Sequence, residues 1–531
     1  MGHLTVGEEE ADPTSRPSLM DPTSRPSLLI LLVSLTASVL EWFDFSIYAY
    51  FTPQIAETFF PSNQSSKMKL LESFLVFSIA FLGRPLGGLL IGAIGDSSLR
   101  SGGRARALLF SILLMSLPTL LMGLLPSYGS IGWPAIALLC LTRFCQGLSV
   151  GGQLMSSVVF VCEKSPREEW GYFGSIVMCA ASCGTLLGGV VGTLITGVLT
   201  EAQVDRWGWR VPFIVGGIVV GTAGVYFKYK EGIEIKLSTG GGDATAADIL
   251  LDPPASGGDG VLAGGEPASE ELLSIAFQPS EEDRASLLGG DKRSMSPVKL
   301  AFTVHLSTTL SAAAIPLLWS AGFYVSNVWV SIYMSELLPE PPFSNTYLIS
   351  SLSLFLGCVL PFPIAGMISD WIGRRPTMTL GAVVTATMAP IAFTYISSPS
   401  PSPYLAVALL TLNGLGLSLY GAPMLAFLVE SFPPHVRLTG MAVGYNIAQA
   451  LGGGLAPTLS TYLVDEVGIT SPGYLVAIYA LVSLAGLWCK GGSAEDKAKW
   501  EKLQKKWANG KGVEDCEKAV DPTSAQTLLE T

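Results

Sequence analysis

Twelve runs of apolar residues, each long enough to cross a bilayer, leave this chain few ways to fold. They lie at about 28–53, 70–96, 105–125, 133–162, 171–200, 209–229, 300–335, 346–370, 376–397, 403–430, 439–464 and 472–489. About 20 apolar residues span the hydrocarbon core as a helix. In lipid every backbone polar group must be satisfied internally, so runs of this length predict helices. Only 14% of the 531 residues are charged, against about 25% in soluble proteins. The fold class is therefore all-α, a polytopic membrane protein of 12 transmembrane helices. So few charges, with a net charge of −11, argue against a nucleic-acid binder. Three histidines leave little material for a metal enzyme, and neither metal nor cofactor is expected. No segment assembles a nucleophile, a base and an orienting group, so the chain does not read as an enzyme. No GxxxxGK[ST] loop occurs, so ATP is not expected to drive it.

Between the sixth and seventh runs lies 230–298, rich in Gly, Ala and acid. Such a segment cannot bury a core and reads as a disordered linker. The expected organisation is an N-terminus at 1–27, a six-helix half at 28–229, the linker at 230–298, a second six-helix half at 299–490 and a tail at 491–531. Twenty-five Lys and Arg fall on the side of the termini and linker, whereas the opposite loops hold only Lys67, Lys69 and Arg206. The positive-inside rule then makes both termini cytoplasmic. The first apolar run is too long for a signal-peptide core and should stay as a span. Six of the eight cysteines lie in apolar runs, and Cys489 and Cys516 at or beyond the last, so no disulfides are expected.

The halves repeat. Gly92-Ala93-Ile94-Gly95-Asp96 ends the second run and Gly366-Met367-Ile368-Ser369-Asp370 the eighth. Glu163-Lys164-Ser165-Pro166 ends the fourth, and Glu430-Ser431-Phe432-Pro433 the tenth. Asp96 and Asp370 stand 274 residues apart, Glu163 and Glu430 267. Matching devices in one register are the trace of a transporter built from two pseudo-repeats, with its substrate site near the midplane between them.

Gly366 to Arg375 fits the pattern G-x-x-x-D-x-x-G-R-R, and Arg143-Phe144-Cys145-Gln146-Gly147 fits R-x-x-Q-G. Both resemble signatures of the major facilitator superfamily. EWFDFSIY at 41–48, GRPLGG at 83–88, QGLSVGG at 146–152, WGWRVPF at 207–213 and VRLTGMAVGYN at 436–446 are similar to its metabolite:proton symporter family, which includes proline/betaine, ketoglutarate, citrate and shikimate carriers. The resemblance covers the whole membrane part and implies the major facilitator fold. In the first half Leu99 stands where the loop signature has Gly. The Gly-Pro pair typical of antiporters is missing from GTLLGGVVG at 184–192.

Glu41 lies about 20 Å along the first span, roughly mid-membrane, and shares a face with Asp44 and Tyr48. Each acid costs about 2.5–3.5 kcal/mol at a helix centre, so two are hard to retain as decoration. In a low-dielectric cavity such a carboxylate can bind and release a proton; pairing with a buried Arg to pack the bundle is the alternative. Arg84 and Arg143 are the available counter-charges; Arg84, beside Pro85, fits a structural role. The resemblance ties Arg143 to proton movement, which places it beside Glu41 and Asp44 as a candidate for proton coupling. Candidate substrate contacts are Gln146, Asn327 and Asn446, and the aromatics Trp42, Tyr48, Tyr324 and Tyr445, which would suit a quaternary ammonium. For any one aromatic, packing or interfacial anchoring is the commoner role. The resemblance also implies charge latches at the cytoplasmic rim: Asp96, Asp370, Arg374 and Arg375, with Glu163 and Glu430 as their partners across the gate. Flanking charge that fixes topology is the plainer reading.

Together these features predict a secondary active transporter in the plasma membrane, coupling protons to a small polar metabolite by alternating access. The metabolite is a zwitterionic osmolyte such as proline or betaine, or an organic acid. A facilitative uniporter of organic acids and a non-transporting membrane sensor are the rival readings. Its expected partners are the small-molecule substrate, protons and the lipid bilayer.

Overall fold

The structure is a computed structural model that describes residues 28–97, 103–151, 153–163, 165–222, 306–339, 342–432 and 434–489. The expected linker at 230–298 and the terminal segments 1–27 and 491–531 lie outside the described residues.

Apolar sequence without a polar stripe gives helices that bury one side in protein and turn the other to lipid. In the first half these are α1 (Leu28–Tyr50), α2 (Ser66–Ser97), α3 (Gly103–Leu124), α4 (Trp133–Val150, resuming as Gln153–Glu163), α5 (Trp170–Val198) and α6 (Gly208–Thr222). The second half holds α7 (Leu306–Leu337), α8 (Thr346–Ile372), α9 (Arg374–Ile396) and α10 (Pro403–Ser431). It ends with α11 (Pro434–Ala448, continuing as Leu455–Glu466) and α12 (Ser471–Cys489). Among the described residues eight helices are long and apolar enough to cross a membrane outright, and no strand occurs. Leu82, Leu117, Leu194, Leu310 and Leu360 point outward, each more than half exposed. An apolar surface of that extent suits lipid rather than water.

The two halves meet along α2 against α11 and α5 against α8, with α10 also on α5. By the sequence repeat α2 corresponds to α8 and α5 to α11, so the two main seams are equivalents exchanged by a pseudo-two-fold. Close packing inside each half depends on glycine. A Cβ on Gly147 of α4 would run into the Ala80 carbonyl of α2, and Gly414 of α10 packs on Gly357 of α8. Gly373, between α8 and α9, has φ +99, a conformation glycine adopts at little cost. It lets the chain turn sharply within the loop signature. Four π-turns interrupt the second half: Tyr324–Trp329 and Tyr333–Leu337 in α7, Phe355–Val359 in α8 and Gln449–Gly454 in α11. Such bulges leave backbone groups out of step and recur at functional sites. The first and last of these line the seam at mid-height.

Candidate functional site

Helix α1 carries both central acids, and the helices around it give each a different partner. Glu41 Oε1 accepts from Arg84 Nη2 of α2 at 2.9 Å, with both side chains almost fully buried. Three residues on, Asp44 faces α3 and α4. Its carboxylate accepts from Thr119 Oγ1 at 2.8 Å and from Gln146 Nε2 at 2.9 and 3.1 Å. Gln146 in turn accepts from Arg143 Nη1 at 2.8 Å through its Oε1. Arg143 itself stays 4.0 Å from Asp44, so the glutamine links the two charges. The Arg143 guanidinium lies over the Tyr48 ring at 4.2 Å and the Phe45 ring at 5.0 Å. Aromatic faces stabilise a cation that has left water. The result is a buried hydrogen-bonded network of residues from the first half.

Thr119 was not singled out from sequence; a hydroxyl beside Pro118 in an apolar helix was the available signal. Tyr48 is turned into the same half: its hydroxyl donates to the Ser73 carbonyl at 3.0 Å, and its ring stacks on Phe77.

At the seam, the Trp42 ring stacks on Tyr324 of α7, with centroids 5.8 Å apart and planes 19° apart. Phe81 meets Tyr324 edge-on at 5.5 Å, while the Arg84 guanidinium sits over Phe81 at 5.0 Å. From α11, Gln449 Nε2 donates to the Tyr445 hydroxyl at 2.6 Å, and Gly453 and Gly454 pack on Phe81. Asn446 crosses the seam to donate to the Gly151 carbonyl at 2.7 Å. Asn327 donates back to the Phe323 carbonyl at 3.3 Å within its own helix, and its carbonyl accepts from Tyr50 and Ser350. Trp42, Tyr324 and Tyr445 thus line the seam with the Glu41–Arg84 pair. Tyr48 and Gln146 belong to the Asp44 network, and Asn327 and Asn446 hold backbone.

Both ends of the seam are closed. At the basic end Asp370 of α8 accepts from the backbone amides of Gly171 and Tyr172 at 2.9 and 2.8 Å. These are the first amides of α5, where the helix dipole favours a negative charge. Arg374 holds Asp370 in place and reaches Glu430 at 3.3 Å. Glu163 pairs with Arg437 of the other half. Glu430 braces Arg374 within its own half, because α10 runs beside the α8–α9 turn, and it also faces the charge of Arg167 in the first half. Arg437, within the VRLTGMAVGYN stretch but not among the candidate gate residues, supplies the crossing pair with Glu163. Arg375 lies over the rings of Phe427 and Trp488. The Asp96 side chain lies outside the described residues. At the opposite end Tyr347 donates to the Tyr50 carbonyl at 2.9 Å, and Lys67 bridges to Asp465. The arrangement is an occluded one.

Residues 29–227 match the family described as sugar (and other) transporter, and residues 301–514 match the Major Facilitator Superfamily. The inner membrane metabolite transport protein YhjE of Escherichia coli is 30% identical over 86% of this chain and 92% of its own length. The proline/betaine transporter of Salmonella typhimurium is 29% identical over 84% of this chain and 80% of its own. Among solved structures, the partially occluded inward-open xylose transporter XylE of E. coli covers 88% of this chain and 98% of its own with TM-score 0.61 at 17% identity. The chain belongs to the major facilitator superfamily: it is an integral membrane transporter, not an enzyme. Within that superfamily it sides with relatives that carry metabolite and proline/betaine transporter names.

Proposed function

We propose that this chain carries a small metabolite bearing a carboxylate together with a proton, by alternating access, with Asp44 as the proton site. The names of its relatives favour a zwitterionic osmolyte such as proline or betaine over an organic acid. The observation that carries the reading is the buried Asp44–Thr119–Gln146–Arg143 network. An ionised carboxylate only accepts hydrogen bonds, whereas a protonated one also donates. Protonation of Asp44 would turn one of its oxygens into a donor, break one of the two Gln146 contacts and loosen the link to Arg143. The termini are proposed to face the cytoplasm of a plasma membrane, which puts the Asp370 and Glu163 contacts at the inner gate.

The test uses the purified protein in liposomes with a pH dye inside. Betaine, proline, citrate, ketoglutarate and shikimate are added outside in turn. Internal acidification with one compound, absent in Asp44→Asn, is the expected result. Labelled uptake without a pH change would instead identify a uniporter. Silence across the panel would favour a sensor.

A further inference from the structure

The Asp44 network leaves its carboxylate fully engaged, but the other acid of α1 does not share that completeness. Glu41 and Arg84 are joined by one contact of 2.9 Å, and among the described residues Glu41 Oε2 and Arg84 Nε have no hydrogen-bond partner. Around them Trp42 Nε1, the Tyr324 hydroxyl and Gln449 Oε1 also lack one. All five side chains are at least nine-tenths buried. Buried polar atoms are nearly always hydrogen-bonded, and each exception calls for an explanation. Five of these lie around one pair of aromatic faces, where the two halves meet, and offer unspent donors and acceptors to a polar ligand.

Building on the transport reading above, we infer that the Glu41–Arg84 pair recognises substrate by opening around it, and that this substrate is a zwitterion. The substrate carboxylate takes Arg84, and its cationic end takes Glu41 and the faces of Trp42 and Tyr324. The charge balance supports this. Glu41 and Arg84 sum to zero, so a zwitterion enters a dry site and leaves it neutral, with two ionic contacts replacing one. An organic anion would bring an uncompensated negative charge against Glu41, a cation the same problem against Arg84, and buried unpaired charge is costly. The geometry also links recognition to movement. Glu41, Trp42 and Arg84 belong to the first half, Tyr324 and Gln449 to the second, so one molecule among them touches both bodies that must rock. Asp44 reaches no group of the second half in its hydrogen bonds, and the two acids divide the work: one for the proton, one for the solute.

The experiment compares ligands of one shape and different charge on the full chain in nanodiscs, by titration calorimetry. Trimethylglycine is set against 3,3-dimethylbutyrate, in which carbon replaces the charged nitrogen, and against choline, which lacks the carboxylate. The wild-type protein should bind trimethylglycine at least about tenfold more tightly than either, as expected for losing one charged contact. Glu41→Gln should bring trimethylglycine and 3,3-dimethylbutyrate to within about threefold of each other, and Glu41→Asp should restore the preference. Equal binding of the two by the wild type, or discrimination that survives Glu41→Gln, overturns the inference, as does failure of trimethylglycine and proline to bind at all. If Glu41→Gln does not fold, the wild-type ligand series still decides. Proton uptake is read separately, by the pH dye in liposomes, so the failure of the transport reading is seen apart from the failure of this one.

Discussion

Glu41 and Asp44 stand three residues apart on one helix and keep different company. The spacing, the depth in the membrane and the two candidate arginines were legible in the sequence, because an acid in an apolar run is conspicuous. Which arginine each acid takes was not. Arg84 is 43 residues from Glu41, and Gln146 is 102 from Asp44, and only the packing of α2 and α4 against one another sets those distances. Asn327, a candidate substrate contact from its residue type, donates one amide hydrogen to the carbonyl of Phe323 in its own helix. The Glu41–Arg84 pair makes a stability prediction at this scale. Arg84→Ala strands a buried carboxylate and should cost about 3–5 kcal/mol. Glu41→Gln combined with Arg84→Gln removes both charges and should cost clearly less. Thermal unfolding of the detergent-solubilised variants checks this; equal losses would mean that the pair is not electrostatically coupled.

At the level of elements, the helices were readable from hydropathy alone, and the repeat of α2 with α8 from the loop signatures at their ends. The π-turns were not, because each depends on the tertiary surroundings of a helix rather than on its composition. Nor was the way the inner gate is built. Sequence suggested acids facing bases across it, but one latch is an acid on a helix end: Asp370 receives the first amides of α5. Gly171 lies against Arg374, Ser369 and Asp370 with no room for a Cβ, which is why a small residue is needed there. Asp370→Asn keeps the shape and removes the charge. It should weaken closure by about 1 kcal/mol, a roughly fivefold rise in the population open at that end. Distances between spin labels on the two halves read that population; an unchanged distribution would mean that the gate is held by Glu163–Arg437 alone.

The whole molecule is two six-helix bodies that touch along two related seams, with both ends shut and a shell of unsatisfied polar atoms at mid-height. The closures differ in strength. Lys67 and Asp465 are both more than half exposed, and such pairs contribute about 0–1 kcal/mol. The basic end combines half-buried ion pairs with a helix dipole. The Lys67–Asp465 pair therefore adds less to its end, which the Tyr347–Tyr50 contact also closes, than the ion pairs add to the basic end. In the proposed cycle the proton goes to Asp44 and the solute to Glu41 and Arg84.

The central claim is that a neutral zwitterion and a proton move together, which makes each cycle carry one positive charge. The direct measurement is the current across a solid-supported membrane bearing oriented proteoliposomes when trimethylglycine is applied at equal pH on both sides. The account predicts an inward positive current that vanishes in Asp44→Asn. Labelled uptake at the wild-type rate with no current would contradict it.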